Sequence, residues 1–145
     1  MPEAATTLEQ RTQAVLGMLR TGDTPASRVD VFDGEPDAVM DGDGRAHPYA
    51  ALYPSPGWHD PTMETLDAAA GHLVWTFQVT AAGGDVTRAR RAIDRILDRL
   101  VQRRLVVNSA EHGVIRLATD PGPIQTDRGV QPWRSYAPLL FTVEL

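Results

Sequence analysis

The sequence predicts an α+β fold: a two-layer sandwich in which a mainly antiparallel sheet of about four to six strands packs against two helices on one face. Residues 72–81 and 136–145 alternate apolar and polar side chains, as strands do when one face is buried. Residues 85–104 instead repeat apolar side chains at helical spacing. At 145 residues, the chain has the length of one domain, residues 1–145, with its own core.

The first predicted element is an amphipathic helix of about four turns. Thr6 and Glu9 have the spacing of a capping box, and apolar residues then recur at helical spacing up to Gly22. Short strands are expected at residues 28–32 and 49–53. Between them, residues 33–47 are rich in Asp and Gly, which predicts an exposed loop or a loose hairpin.

The second half of the chain is expected to begin with the strand at 72–81. Gly83 and Gly84 then supply a turn, and Asp85 is a good N-cap for a helix about 30 Å long. A short hairpin should follow, with strands at 105–107 and 114–117. Pro138 in the closing strand predicts an edge position or a late entry to the sheet. Long loops are expected at 33–47, 54–70 and 120–134.

Charge is distributed unevenly along the chain, whose net charge is −5. Residues 1–84 carry 4 Arg against 12 acids (−8), residues 85–104 carry 7 Arg against 3 Asp (+4), and residues 105–145 carry 3 Arg against 4 acids (−1). An acidic protein with one basic segment is a poor ligand for duplex DNA, because neutralising phosphates requires a positive face. The pattern is compatible with copies that meet acidic surface to basic surface.

Known catalytic and metal-binding patterns do not fit the sequence. With no cysteine, disulfides and thiol chemistry are excluded. A calcium loop that starts at Asp41 would place Arg45, Ala46 and Leu52 where a ligand, a glycine and a bidentate Glu belong. The four histidines show no metal-ligand spacing, and no serine lies in a nucleophile elbow. We therefore expect no catalytic residue, cofactor or metal, and we expect the protein not to be an enzyme.

The first ten residues do not resemble a secretion signal and no apolar run approaches about 18 residues, so neither secretion nor a membrane span is expected.

Two groups of residues leave more than one interpretation open. The arginines of the long helix form a solvated face, a face that docks on acidic residues of a neighbouring copy, or a face that binds nucleic acid. Trp58 and Trp133, each in a predicted loop, either cover an end of their own sheet or anchor a partner, and Arg134 beside Trp133 favours the second.

Several stretches of the chain, in order, resemble the tail terminator (tail completion) proteins of long-tailed bacteriophages. They are Val31-Phe32-Asp33-Gly34-Glu35-Pro36, Pro48-Tyr49-Ala50-Ala51-Leu52-Tyr53-Pro54, Trp75-Thr76-Phe77-Gln78-Val79, Gly83-Gly84-Asp85 with the arginine-rich helix, and the proline-containing loop before the last strand.

The resemblance implies an α+β virion protein that forms a hexameric ring at the head-proximal end of the tail. Such a ring stops polymerisation of the tail tube and joins the tail to the head–neck connector. The implied partners are other copies of the chain, the major tail tube protein and a connector or stopper protein. Assembly is expected in the host bacterial cytoplasm, without binding to a membrane or to a specific nucleic-acid sequence.

The alternative functions are another neck component, such as a mostly helical adaptor or a stopper, a small nucleic-acid-binding module, or an enzyme. The candidate residues for contacts with neighbouring subunits or the tube are Trp58, His59, Arg88, Arg91, Arg95, Arg128, Trp133 and Arg134.

Overall fold

A computed structural model of the protein describes residues 6–21, 28–59, 73–130 and 133–145, and these residues form two helices and nine strands. The helices are α1 (Leu8–Arg20) and α2 (Val86–Leu100). The strands are β1 (Asp30–Asp33), β2 (Tyr49–Pro54), β3 (Trp58–His59), β4 (Leu73–Gly83), β5 (Arg104–Val107), β6 (Ala110–Val114), β7 (Arg116–Leu117), β8 (Gln125–Asp127) and β9 (Arg134–Glu144).

Seven of these strands form one sheet. Its order is β1-β2-β4-β9-β7, with β3 also beside β4 and β8 also beside β9. Only the β1–β2 pair is parallel among the described strands, and β5 and β6 form a separate antiparallel hairpin. The predicted α+β sandwich is confirmed, although the sheet has more strands than expected. The additional strands are short, because β3, β7 and β8 each pair over only two or three residues.

Both helices pack on the same face of the sheet and build the main core. On this face, alternate residues of β4 and β9 are buried, including Phe77 and Phe141, whose stacked rings lie 5.4 Å apart. Trp75 is fully buried and donates from its indole Nε1 to the carbonyl oxygen of Ser55 at 2.8 Å. The guanidinium of Arg11 in α1 lies over the same indole ring at 5.3 Å, so Trp75 joins the helix layer to the sheet.

Both helices begin with a side-chain cap, and α1 starts one residue later than predicted. Its capping box consists of Thr7 and Gln10, not Thr6 and Glu9: the Gln10 backbone N–H donates to Thr7 Oγ1 at 3.1 Å, and Gln10 Oε1 accepts from the Thr7 backbone N–H at 2.9 Å. Either Gln or Glu can occupy the N3 position of a capping box, so Thr6 with Glu9 and Thr7 with Gln10 both fit the motif. Gly22, the predicted end of the helix, lies outside the described residues.

The predicted N-cap of α2 is confirmed, but the helix is shorter than expected. Asp85 accepts a hydrogen bond from the Arg88 backbone N–H at 2.8 Å. The helix has 15 residues, which corresponds to about 22 Å rather than 30 Å. It ends because Val101 is extended and the chain turns into β5 at Arg104.

The hairpin after α2 is tighter than predicted. Asn108 and Ser109, with φ of 51° and 67°, form a two-residue turn between β5 and β6. Residues 116–117, which were predicted to belong to this hairpin, instead form β7 and pair with β9. The predicted loops are also shorter, because 54–70 contains β3 and 120–134 contains β8, while residues 60–70 lie outside the described part of the chain.

The edge position predicted for Pro138 is wrong. β9 lies inside the sheet, between β4 and the short strands β7 and β8. The carbonyl oxygen of Leu140 accepts from the Ala118 N–H at 2.8 Å, so this edge of β9 faces β7 at residue 140. Pro138 lies two residues before Leu140, so its nitrogen faces the same side of β9. Along the strand, it lies between the residues that pair with β7 and those that pair with β8. A proline is tolerated there because no ladder hydrogen bond is required of it.

Candidate functional site

Arg88, the first candidate residue of α2, is engaged within its own subunit. Residues 40–46 form a small hairpin, here called the 40–46 hairpin, which is closed by a bridge between Met40 and Ala46. It docks on the turn before α2, where the Gly84 N–H donates to the Ala46 carbonyl oxygen at 3.0 Å. Arg88 Nε donates to Asp41 Oδ2 at 2.8 Å, and its two terminal nitrogens contact the carboxylates of Asp41 and Asp85.

The surroundings of Asp41 favour its charged form. Desolvation by itself would raise the pKa of this carboxyl group, but hydrogen bonds from the Arg45 and Asp43 backbone N–H groups and from the Arg88 guanidinium outweigh it. The pKa of Asp41 is therefore lower than usual. Desolvation likewise opposes the charge of Arg88, but Asp41 and Asp85 raise its pKa above the ordinary value.

We predict that Asp41 makes folding sensitive to acid. A carboxyl group whose pKa is lower in the folded state contributes stability above its unfolded pKa of about 3.9 and loses that contribution as the pH falls through the folded value. In urea unfolding between about pH 6 and pH 2, wild type should therefore lose more stability than the D41N variant. Asp43→Asn is the matched control, because the Asp43 carboxylate is 81% exposed in the same hairpin. Equal acid sensitivity of wild type and D41N would contradict the prediction.

Three other candidate residues lie together around the start of β9. Trp133 is 49% exposed, and the Arg128 guanidinium lies over its ring at 5.2 Å. Arg134 lies over the Tyr136 ring at 5.0 Å and faces Asp127, with Nε and Oδ2 3.9 Å apart. An exposed indole stacked under an arginine is a typical anchor of protein interfaces, since Trp and Arg dominate hot spots. We call Arg128, Trp133 and Arg134 the Trp133 cluster.

Arg134 of the Trp133 cluster lines an open groove of about 350 Å³. The groove lies between the loop that follows β1 and the segment before β9, and buried Tyr49 lines it. Asp37 and Arg134 give it one charge of each sign, while Ala38, Ala46 and Val130 give it an apolar lining. This combination suits a polypeptide segment better than a small charged ligand.

The remaining candidate residues lie elsewhere in the subunit. Trp58 and His59 form β3, in register with Val74 and Leu73 of β4, so Trp58 is not in a loop as predicted. Arg91 is exposed on α2, and Arg95 is partly buried on the same helix. The structure thus gathers Arg128, Trp133 and Arg134, whereas Trp58, His59 and the arginines of α2 lie outside that cluster.

A surface that the sequence did not single out lies on the sheet face opposite the helices. Tyr49 and Ala82, at one end of this face, form a small second core with Ala46 of the 40–46 hairpin. Farther along the same face, Tyr53 and Leu140 remain 42% and 36% exposed. The alternation of side chains in β2 and β9 could have placed Tyr53 and Leu140 on this face. Alternation does not show, however, which parts of the face are covered by other segments of the chain.

The described residues offer little for other kinds of site. Within them, no group of three or more His, Asp or Glu residues is arranged to hold a metal ion. No helix in that part of the chain is long and apolar enough to span a bilayer. Asp41 is the first position of the calcium loop that the sequence does not support. Its carboxylate oxygens accept hydrogen bonds from Arg88 and from backbone N–H groups.

Two of the solved structures that match this chain show the same fold. One is a chain of the virion of a native gene transfer agent (GTA) particle, with a TM-score of 0.52, 16% identity, and coverage of 95% of this chain and 90% of that one. The other is the sheath/tube terminator of an extracellular contractile injection system, PVC, in its extended state, with a TM-score of 0.55 and 10% identity. It matches 99% of this chain, which spans 57% of the length of that protein. The protein shares its fold with a sheath/tube terminator.

The comparisons agree with the tail terminator resemblance predicted from the sequence. At these identities, they establish a common fold. No protein-family model matches the sequence, and no curated protein is a significant match.

Proposed function

We propose that this protein is a virion tail component that terminates the tail tube. The observation that carries the proposal is the fold shared with a sheath/tube terminator along nearly the whole chain. The shared fold with a protein of a gene transfer agent virion supports it independently. In this role, copies of the chain form a ring at the head-proximal end of the tube, where the ring stops polymerisation and binds the head–neck connector.

The Trp133 cluster is the surface proposed to bind the tube or the connector. Its indole is half exposed, its two guanidinium groups lie over aromatic rings, and Arg134 lines the groove. Stacking pre-orients the arginines, so less conformational entropy is lost when a partner binds. A hexameric ring would repeat the cluster around its axis and combine several modest contacts into stable binding.

We predict that phages lacking this protein assemble overlong tails and heads without tails. Electron microscopy of lysates from a deletion strain checks this result, and complementation with the wild-type gene should restore tails of normal length joined to heads. Tails of normal length on filled heads in the deletion strain would contradict the proposed function.

Variants of the Trp133 cluster test the proposed binding surface separately from the terminator role. The R128A/W133A double variant should fold normally, but it should reduce the fraction of joined particles at least about tenfold. Val106→Ala is the control, because Val106 is 46% exposed on the β5–β6 hairpin and lies outside the cluster. If R128A/W133A complements as well as V106A, the surface is wrong while the role stands.

A further inference from the structure

Two arginines on α2 remain available at the surface of the subunit. Arg90 and Arg91 are exposed in the second turn of the helix. Within the described residues, neither has an ion pair or a side-chain hydrogen bond, in contrast to Arg88. Among the described residues, Asp94 pairs with neither of them, and Arg99 Nε lies 3.8 Å from Asp98 Oδ2.

A matching acidic surface lies beside β1, at the edge of the sheet. Asp33, at the end of β1, and Glu35 and Asp37, in the loop that follows, are exposed. We call these three residues the acidic edge. None of them has an ion-pair partner among the residues that the structure describes. The neighbouring Asp30 differs, because Arg28 binds it at 2.8 Å.

These two surfaces do not pair with each other within one subunit, as far as the described residues show. α2 packs on β4 and β9, near the middle of the sheet, whereas β1 is a terminal strand. α1 packs on both α2 and β1. Of the acids in residues 30–43, Asp41 and Asp43 reach an arginine of α2, and that arginine is Arg88.

We propose that the acidic edge of one copy binds Arg90 and Arg91 of the next copy. The inference rests on the proposed function and deepens it, because it names the contact that joins neighbouring subunits of the ring. The occupant is a second copy because the chain itself carries both complementary surfaces and leaves them unpaired with each other among the described residues. Such a contact is head-to-tail, so repeating it closes a ring when the rotation allows.

The chemistry of both surfaces suits this contact. Guanidinium groups bind carboxylates through two parallel hydrogen bonds, which sets the orientation of the partners. Single exposed ion pairs contribute little, but three carboxylates facing two arginines form a network. The contact should weaken as salt increases, because exposed charges are screened over about 3 Å at 1 M ionic strength and over 30 Å at about 0.01 M.

Charge reversal tests the contact by sedimentation velocity. Wild type should self-associate at about 0.01 M ionic strength and dissociate at about 1 M. Both R90E/R91E and D33R/E35R/D37R should weaken self-association at least about tenfold, because each places like charges opposite each other. The variant that combines all five changes should associate again, as should an equal mixture of the two partial variants.

Matched controls separate this contact from a general effect of charge. R103E/R104E changes the net charge by the same amount as R90E/R91E at exposed positions beyond the end of α2, and it should associate like wild type. Circular dichroism checks folding, and R90Q/R91Q serves if the glutamate variant unfolds. A wild type that is monomeric at both ionic strengths, a combined variant that does not recover, or an equal loss in R103E/R104E would overturn the inference. If the deletion strain still produces overlong tails, the terminator role survives that result.

Discussion

Replacing Trp75 by alanine is expected to lower the free energy of unfolding by about 3–5 kcal/mol. Trp75 is fully buried, and its ring lies 4.7 Å from that of Phe77 and 5.3 Å from the Arg11 guanidinium. The change removes these contacts, leaves a cavity between α1 and the sheet, and deprives the Ser55 carbonyl oxygen of its indole donor. Urea unfolding followed by far-UV circular dichroism measures the loss.

Trp133→Ala is the matched control for Trp75→Ala. The same change at a 49% exposed side chain should alter the free energy of unfolding by no more than about 0.5 kcal/mol. The two variants therefore separate roles: Trp75 should act on stability and Trp133 on tail joining. A loss of stability at Trp133 as large as that at Trp75 would show that Trp133 is a core residue instead.

Gly84→Ala is expected to destabilise the protein by about 1–3 kcal/mol. A Cβ atom at Gly84 would lie 2.6 Å from the Ala46 backbone nitrogen and 2.6 Å from Arg45 Cβ. The 40–46 hairpin would have to move, which would strain the hydrogen bond from Gly84 to Ala46 and the ion pairs of Arg88 with Asp41. Thermal or urea unfolding measures this loss.

Gly17→Ala provides a control of opposite sign. Gly17 lies inside α1, and a Cβ atom there would meet nothing within 4 Å. Alanine should therefore stabilise the protein by about 0.5–1 kcal/mol, because glycine loses more backbone entropy in a helix. If both substitutions change the free energy of unfolding by the same amount and sign, then the docked 40–46 hairpin does not require glycine at position 84.

The sequence was most informative where one element alone decides the pattern. The alternation in β4 and β9 comes from a buried face on one side, and the spacing in α2 comes from one stripe packed on the sheet. The Asp85 cap needs only the three residues that follow it. The capping box of α1 was misplaced by one residue because two adjacent pairs satisfy the same rule.

The sequence was least informative where distant segments meet. The strands β3, β7 and β8 are too short to show a period, and they exist because β4 and β9 offer them a partner edge. The position of Pro138 depends on the gap between β7 and β8, which lies outside its own strand. Two of the candidate residues, Arg128 and Trp133, are five positions apart, and only the folded chain stacks them.

The sequence by itself determined the α+β class, the two helices, the long strands and the positive charge of residues 85–104. Only the tertiary structure decided how that charge is divided. Arg88 is held by Asp41, 47 residues away, while Arg90 and Arg91 remain exposed. The physical reason is that local periodicity reports which face of an element is buried, whereas the partner of a charged side chain depends on which distant segment the fold brings within hydrogen-bond distance.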